Sequence, residues 1–344
     1  MIEWLNLPSD AKRQTLEEAA TRTGLRPTAI EKDWWVTLTL KACFHTEYKD
    51  NLVFKGGTSL SKAWGLIERF SEDIDLVMNR EVLGFTGELS NNQIKRLREK
   101  TAEFMATTFR DALDTTLQAL GVSPGWYKLG MQPGGVADRD PQVLELYYSS
   151  VLESDGYLKD KVIIEIGARS LLEPAEMRGV QSIIGHTFPD TPFADHPFLI
   201  LTVNPKRTFL EKVFLLHEEF LKVPEKRKHE RMSRHLYDVE KLMDTEFGMA
   251  ALQDGALYAL IVSHRAKYTA IRGLDYTGHG TQTLDFVPPE NLHTVWGRDY
   301  GQMQQSMIYG SSLAFPALIE RLTVLRERFR ALNSREDVQP SLGC

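Results

Sequence analysis

The stretch "FKGGTSLSKAWGLIERFSEDIDLVM", residues 54–78, decides the fold. It leaves an apolar strand-like run at two glycines, continues through a short amphipathic segment, and ends in carboxylates alternating with apolar residues. Glycine lets a backbone adopt angles closed to other residues and lets a ligand come close. A helix starting behind such a turn offers unpaired N–H groups and a positive dipole end to a phosphate, and Thr58 and Ser59 add hydroxyl donors beside Gly56 and Gly57. Asp73 and Asp75 are two apart, so on a strand both carboxylates face one side. Adjacent carboxylates repel unless a cation lies between them, and Mg²⁺ takes carboxylate and phosphate oxygens together. A phosphate cradle ahead of a divalent-metal clamp is what phosphoryl or nucleotidyl transfer requires. Each half alone has a bland account, as a simple turn and as a solvated strand face. Their combination in this order, with Ile74 and Leu76 fixing the strand, favours the chemical one.

Outward from this stretch, helices alternate with strands. Ser9-Asp10 caps a helix to about Thr23, which Gly24 stops, and Pro27 opens a second. "NLVF" reads as a strand, Thr58 to Ile67 as a helix, "DIDLVM" as a strand and Asn91 to Leu120 as one long helix. Ser123 to Asp140, rich in Gly and Pro, reads as a loop. "VLELYYSSVL", "KVIIEIGARS" and "FLILTV" read as strands. From Arg207 the pattern is helical almost to Arg330, interrupted near Gly273 to Gly280, and the last ten residues read as frayed. A boundary near Pro205 divides a strand-containing half, 1–205, from a helical half, 206–344. The fold class is α/β with a small mixed sheet.

Composition limits the function classes. Of 344 residues, 42% are hydrophobic and 26% charged, which describes a globular chain with enough apolar residues for a core. No apolar run approaches bilayer length, and no signal-peptide pattern opens the chain. Cys43 and Cys344 make no disulfide framework, so a reducing, cytoplasmic setting is expected. A net charge of −6 argues against a globally basic nucleic-acid binder and leaves room for a local basic surface.

"GGTSLSK…RFSEDIDL" resembles the first motif of the polymerase-β-like nucleotidyltransferase superfamily, and more narrowly that of the AbiEii/AbiGii toxin family of type IV toxin–antitoxin and abortive-infection systems. "IEKDWWVTLTL" (Ile30 to Leu40) resembles the N-terminal helix of that family. "RTFLEKVFLLHEE" (Arg207 to Glu219) and "RMSRHLYDVEKL" (Arg231 to Leu242) resemble its two downstream motifs, in order. The resemblance spans roughly Ile30 to Met243, and no likeness extends over the last hundred residues. It implies a nucleotidyltransferase core with a helical domain that completes the active-site cleft. It also implies an NTP co-substrate, Mg²⁺ (or Mn²⁺), a tRNA acceptor modified at its 3′ end so that translation stops, and an antitoxin encoded alongside. An antiviral role in the cytoplasm follows from the same family.

The residues of the downstream motifs agree with this reading while leaving roles open. Phe209, Val213, Leu216 and Phe220 form an apolar stripe with Lys212 at its edge. Lys212 either snorkels to water or holds a triphosphate. Leu236, Val239 and Met243 face the core, and Asp238 projects with Arg234 and His235, as a structural ion pair or as an active-site acid orienting Lys212 or substrate. Because both stripes are complete without Lys212 and Asp238, replacing either is expected to cost no more than about 1 kcal/mol of stability. Glu165, a lone acid in "KVIIEIG", is either a third carboxylate for metal and catalysis or an exposed edge residue, with Arg169 as its partner or as a phosphate contact. The run "KVPEKRKHERMSRH" (Lys222 to His235) is either a solvated loop or a grip on RNA through Lys226, Arg227, Lys228 and Arg234, extended by Lys206 and Arg207. Trp34 and Trp35 fit a helix core better than a stacking platform. The competing functions are a nucleotidyltransferase acting on a small molecule or a protein hydroxyl, and a non-enzymatic nucleotide- or RNA-binding partner protein. The retained aspartates count against the latter.

Overall fold

The structure, a computed structural model, describes residues 1–132, 141–153 and 159–334. The chain divides into two compact units, Met1–Asn204 and Pro205–Cys344.

The first unit is built on one mixed sheet. Its strands among the described residues are β1 (Leu52–Lys55), β2 (Asp73–Met78), β3 (Tyr127–Met131), β4 (Gln142–Tyr148), β5 (Lys161–Gly167), β6 (Ala175–Val180) and β7 (Phe198–Val203), in the order β3-β4-β5-β2-β1-β7-β6. β2 runs parallel to β5 and antiparallel to β1, and β1 runs parallel to β7. The hairpins β3–β4 and β6–β7 are antiparallel and extend the sheet on either side. The helices are α1 (Glu3–Asn6), α2 (Ser9–Thr23), α3 (Pro27–Cys43), α4 (Gly56–Lys62), α5 (Asn91–Phe104), α6 (Arg110–Ala119) and α7 (Ile183–Thr187).

The period-2 pattern sorts the sheet into two faces. Phe54, Ile74, Leu76, Leu144, Leu146, Ile164, Ile166 and Ile200 join one large core with residues from α2, α3, α5, α6 and α7. The opposite face carries Asp73, Asp75 and Val77 on β2, Lys55 and Val53 on β1, and Glu165 and Ile163 on β5, with Val53, Val77 and Val203 forming a small apolar cluster there.

α3 is buried on every side. Trp34 and Trp35 are core residues, edge-to-face at 5.2 Å, and Trp35 stacks on Tyr148 at 5.0 Å. Burying a charge unpaired would cost several kcal/mol, and the three consecutive buried charges of α3 each have partners. Glu31 accepts from Ser150 Oγ at 2.5 Å and the Val151 amide at 2.9 Å. Lys32 pairs with Glu72, and Asp33 pairs with Lys62 and accepts from the Ile183 amide at 2.8 Å. Burial pushes the Cys43 thiol up to about 12, which keeps it an inert core residue.

Several boundaries differ from those expected. α4 stops at Lys62 instead of reaching Ile67, because the chain turns through a left-handed Gly65 (φ 63°). The long helix of residues 91–120 is broken at Met105–Phe109 by a π turn. β3 lies inside the expected loop, of which residues 133–140 fall outside the described residues, as do the last ten residues of the chain. β6 was not expected at all.

In the second unit the described helices are α8 (Pro205–Leu221), α9 (Ser233–Leu242), α10 (Glu246–Gln253), α11 (Gly255–His264), α12 (His293–Ser306) and α13 (Phe315–Arg330). α8 packs on α9, α10 and α11, and α9 packs on α12 and α13. Between α11 and α12 the interruption runs from 270 to 289, longer than the glycines suggest, with only a short 3-10 turn at Tyr276–Gly278.

Candidate active site

In the first unit, β1 ends at Lys55 and α4 begins at once on Gly56, beside the open end of β2. Gly56 holds φ 80°, and a Cβ there would sit 2.0 Å from Asp75 Oδ2. Only glycine can pass at that position, so its backbone lies directly against the carboxylate. A Cβ on Gly57 would meet the buried Arg69 guanidinium at 2.5 Å and Ser71 Oγ at 3.0 Å. The glycine pair therefore fits between two elements of the same motif.

Thr58 and Ser59 occupy a different role from the one the sequence suggests. Both are fully buried. Thr58 donates to the Asp73 carbonyl at 2.5 Å and lies 2.9 Å from Ser71 Oγ, and Ser59 donates to the Gly56 carbonyl at 2.9 Å. Their hydroxyls brace the turn against β2 and fix where Asp73 begins the strand, which replaces the expected direct donation to phosphate.

Asp73 and Asp75 share the face away from the main core. Glu165 is the direct neighbour of Asp75 on β5, and Lys55 its neighbour on β1. Glu165 is partly exposed on an inner strand, so the edge-strand alternative fails. Among the described residues no three His, Cys, Asp or Glu side chains gather closely enough to hold a metal by themselves. The expected set of Asp73, Asp75 and Glu165 is thus a pair with a third acid alongside. An Asp pair fits a divalent ion of the Mg²⁺ type, which takes one or two carboxylates and completes its shell with phosphate oxygens and water. Arg169 follows β5 and is partly buried.

In the second unit, Lys212 on α8 and Asp238 on α9 form a buried ion pair, Nζ to Oδ2 2.9 Å, and His235 Nδ1 lies 3.5 Å from the same ammonium. Lys212 is 7% exposed and Asp238 fully buried. The snorkelling alternative for Lys212 is therefore excluded, and the small stability cost expected for replacing either residue is corrected below. α9 starts on a device with no sequence signal. Asp299 of α12 accepts from the Arg231 amide at 2.6 Å, the Ser233 amide at 2.9 Å and Ser233 Oγ at 2.5 Å, while Arg231 turns through φ 58°. The N-terminus of α9 is thus capped from another helix.

The expected basic surface is thinner than its sequence. Arg207 is fully buried and pairs with Glu211 at 2.9 Å. Arg227 donates to the Lys222 and Phe220 carbonyls at 2.8 and 2.9 Å, closing the C-terminal end of α8. Lys206 pairs with Asp254 at 2.9 Å, and Arg234 is partly buried. Lys226 and Lys228 are exposed. The feature missed in the sequence is on the sheet: Glu145 on β4 is buried on the face of the aspartates and is held by Lys161 and Tyr147. Its setting, "VLELYY", carries only the signature of a buried strand.

A glycine turn locked onto an Asp-x-Asp strand is the arrangement expected of a nucleotidyltransferase. The family model described as nucleotidyl transferase AbiEii toxin, type IV TA system, matches residues 39–327, and the chain belongs to that family. The match takes in most of the last hundred residues, where no likeness was expected. Among solved structures, MenT4, nucleotidyltransferase toxin Rv2826c from Mycobacterium tuberculosis H37Rv, is similar in fold. The TM-score is 0.53 at 17% identity, over 96% of this chain and 91% of that one. No curated protein sequence matches. Among the described residues, no helix is long and apolar enough to cross a membrane.

Proposed function

We propose that this nucleotidyltransferase moves a nucleotidyl group from an NTP to a hydroxyl of RNA, the tRNA 3′ end foremost, and so blocks translation until its antitoxin intervenes. The observation that carries the chemistry is the Asp73–Asp75 pair on one strand face, with the Gly56 backbone against Asp75. Asp73 and Asp75 would hold a divalent metal, Mg²⁺ or Mn²⁺, which when bound neutralises charge on the nucleotide phosphates. The Gly56–Gly57 backbone, free of side chains, lets those phosphates approach the carboxylates. The Lys212–Asp238 ion pair is carried over from the family resemblance as a functional pair, with Asp238 fixing the orientation of the lysine. Asp75 or Glu165 takes the proton of the acceptor hydroxyl as its oxygen bonds to the α-phosphorus, and the bond to the β-phosphate breaks to release pyrophosphate. Lys226 and Lys228 belong to the RNA contact. The small-molecule alternative gives no use for exposed lysines on a loop between the two motif helices.

The test incubates the protein with total tRNA, Mg²⁺ and each labelled NTP in turn. Label should enter tRNA with at least one NTP, and Asp73→Asn or excess EDTA should abolish incorporation while the melting temperature stays unchanged. Full incorporation by folded Asp73→Asn would remove the mechanism. Label entering a small molecule or protein in place of RNA would reassign the acceptor.

A further inference from the structure

The sheet face that holds the aspartates continues across β5 onto β4 and β3. Ile163 lies beside Asp73 on β2 and Glu145 on β4, so Glu145 and Tyr147 share the face of Asp73 and Asp75, while Leu144, Leu146 and Tyr148 turn into the core. Tyr147 stands opposite Lys161 on one side and Lys128 on the other. It is 41% exposed although β4 is an inner strand. Its ring is not loose: the phenol donates to the buried Glu145, and Lys161 Nζ, which also pairs with Glu145, lies 5.6 Å from the ring centroid. Glu145 remains a carboxylate because the hydrogen bonds of Lys161 and Tyr147 outweigh the upward push of burial, holding it below the usual range. Lys128 is exposed. A fixed aromatic ring in reach of solvent, with the exposed Lys128 beside it, is an arrangement on which a base can stack while its backbone meets positive charge.

We infer that Tyr147, flanked by Lys128 and Lys161, is a nucleobase-stacking site for the single-stranded end of the acceptor RNA. The inference rests on the function proposed above, and placement in the sheet separates acceptor from nucleotide. The Gly56–Gly57 turn lies on the β1 side of β2, and Tyr147 lies on the β5 side, two strand spacings or about 10 Å from β2. Phosphates entering beside Gly56 and a strand crossing Tyr147 would reach the aspartates from opposite sides.

The test measures binding without turnover, in the Asp73→Asn background, using a fluorescein-labelled single-stranded RNA ending in CCA and, separately, a labelled NTP analogue. Tyr147→Ala should weaken RNA binding by roughly 5- to 100-fold and leave nucleotide affinity unchanged. Tyr147→Trp should retain RNA binding. Lys128→Ala should lower the salt slope of RNA binding by about one. Tyr147→Leu, which keeps bulk without a π face, should behave as Tyr147→Ala and guards against a packing defect, with a melt run on every variant. RNA binding unaltered in folded Tyr147→Ala and Tyr147→Leu overturns the site, as does a loss confined to the nucleotide or an equal loss for a blunt RNA duplex. Tyr147-dependent RNA binding without label transfer by the wild type would keep the stacking site and sink the proposed reaction alone.

Discussion

At the scale of single residues, the structure changes the meaning of the Lys212–Asp238 pair. A sequence shows that neither side chain is needed for an apolar stripe, but not that the two meet at 2.9 Å away from water. Removing one partner of a buried pair leaves the other charge uncompensated, which typically costs about 3–5 kcal/mol. Lys212→Ala and Asp238→Ala should therefore each lower stability by roughly that much, read by urea unfolding. The double variant Lys212→Met/Asp238→Leu removes both charges and should recover most of the loss. Transfer should stay abolished in all three. Recovery of activity together with stability in the double variant would make the pair purely structural. Thr58 and Ser59 carry the same lesson. Their place after the glycines was legible, but the direction of their hydroxyls, toward the Asp73 and Gly56 carbonyls, depends on how β2 returns beside α4.

At the scale of elements, short apolar or alternating runs made β1, β2, β4, β5 and β7 readable, since each buries residues in the interior. β6 lacked that signal because it is an edge strand with exposed Glu176 and Met177, held by its pairing to β7 more than by burial. β3, "YKLGM", is the opposite edge and is masked by neighbouring glycines. In the helical unit the element that sequence could not reveal is the buried contact of α8 with the turn after α11. Glu218 takes two hydrogen bonds from the Arg265 guanidinium, and His279 Nε2 lies 3.5 Å away. Burial pushes the Glu218 carboxyl up, but Arg265 and His279 outweigh it and hold it below the usual range. A carboxyl lowered in the folded state contributes stability above its unfolded pKa, about 4.3, and loses that contribution as pH falls through the lower folded value. Arg265→Met strands the carboxylate and should cost about 3–5 kcal/mol at pH 7. The deficit should shrink toward pH 4.5, where the stranded acid takes up a proton. Urea unfolding at the two pH values reads the difference, and an equal deficit at both would exclude a charge effect.

At the scale of the whole molecule, the acidic chain shows how little net charge says about a partner. The −6 balance is a sum over the whole chain, and it includes buried acids such as Glu31, which accepts from Ser150 and the Val151 amide and lies away from an approaching polyanion. The ordered motifs made the class legible, yet the family match and the fold are cut at different places. The match starts at residue 39, in the last third of α3, whose earlier part supplies Glu31, Lys32, Asp33, Trp34 and Trp35 to the interior. Losing a buried tryptophan typically costs about 3–5 kcal/mol, so two of them are comparable with the whole stability of an ordinary domain, about 5–15 kcal/mol. A chain begun at residue 39 should therefore show no cooperative thermal transition of the first unit by circular dichroism, whereas the full chain should show one. A cooperative melt of the shorter chain would mean that α3 is dispensable. What is inherited as a recognisable string and what folds as a body thus have different borders here. Recombination that respected only the first would exchange active sites and deliver chains with no interior to hold them.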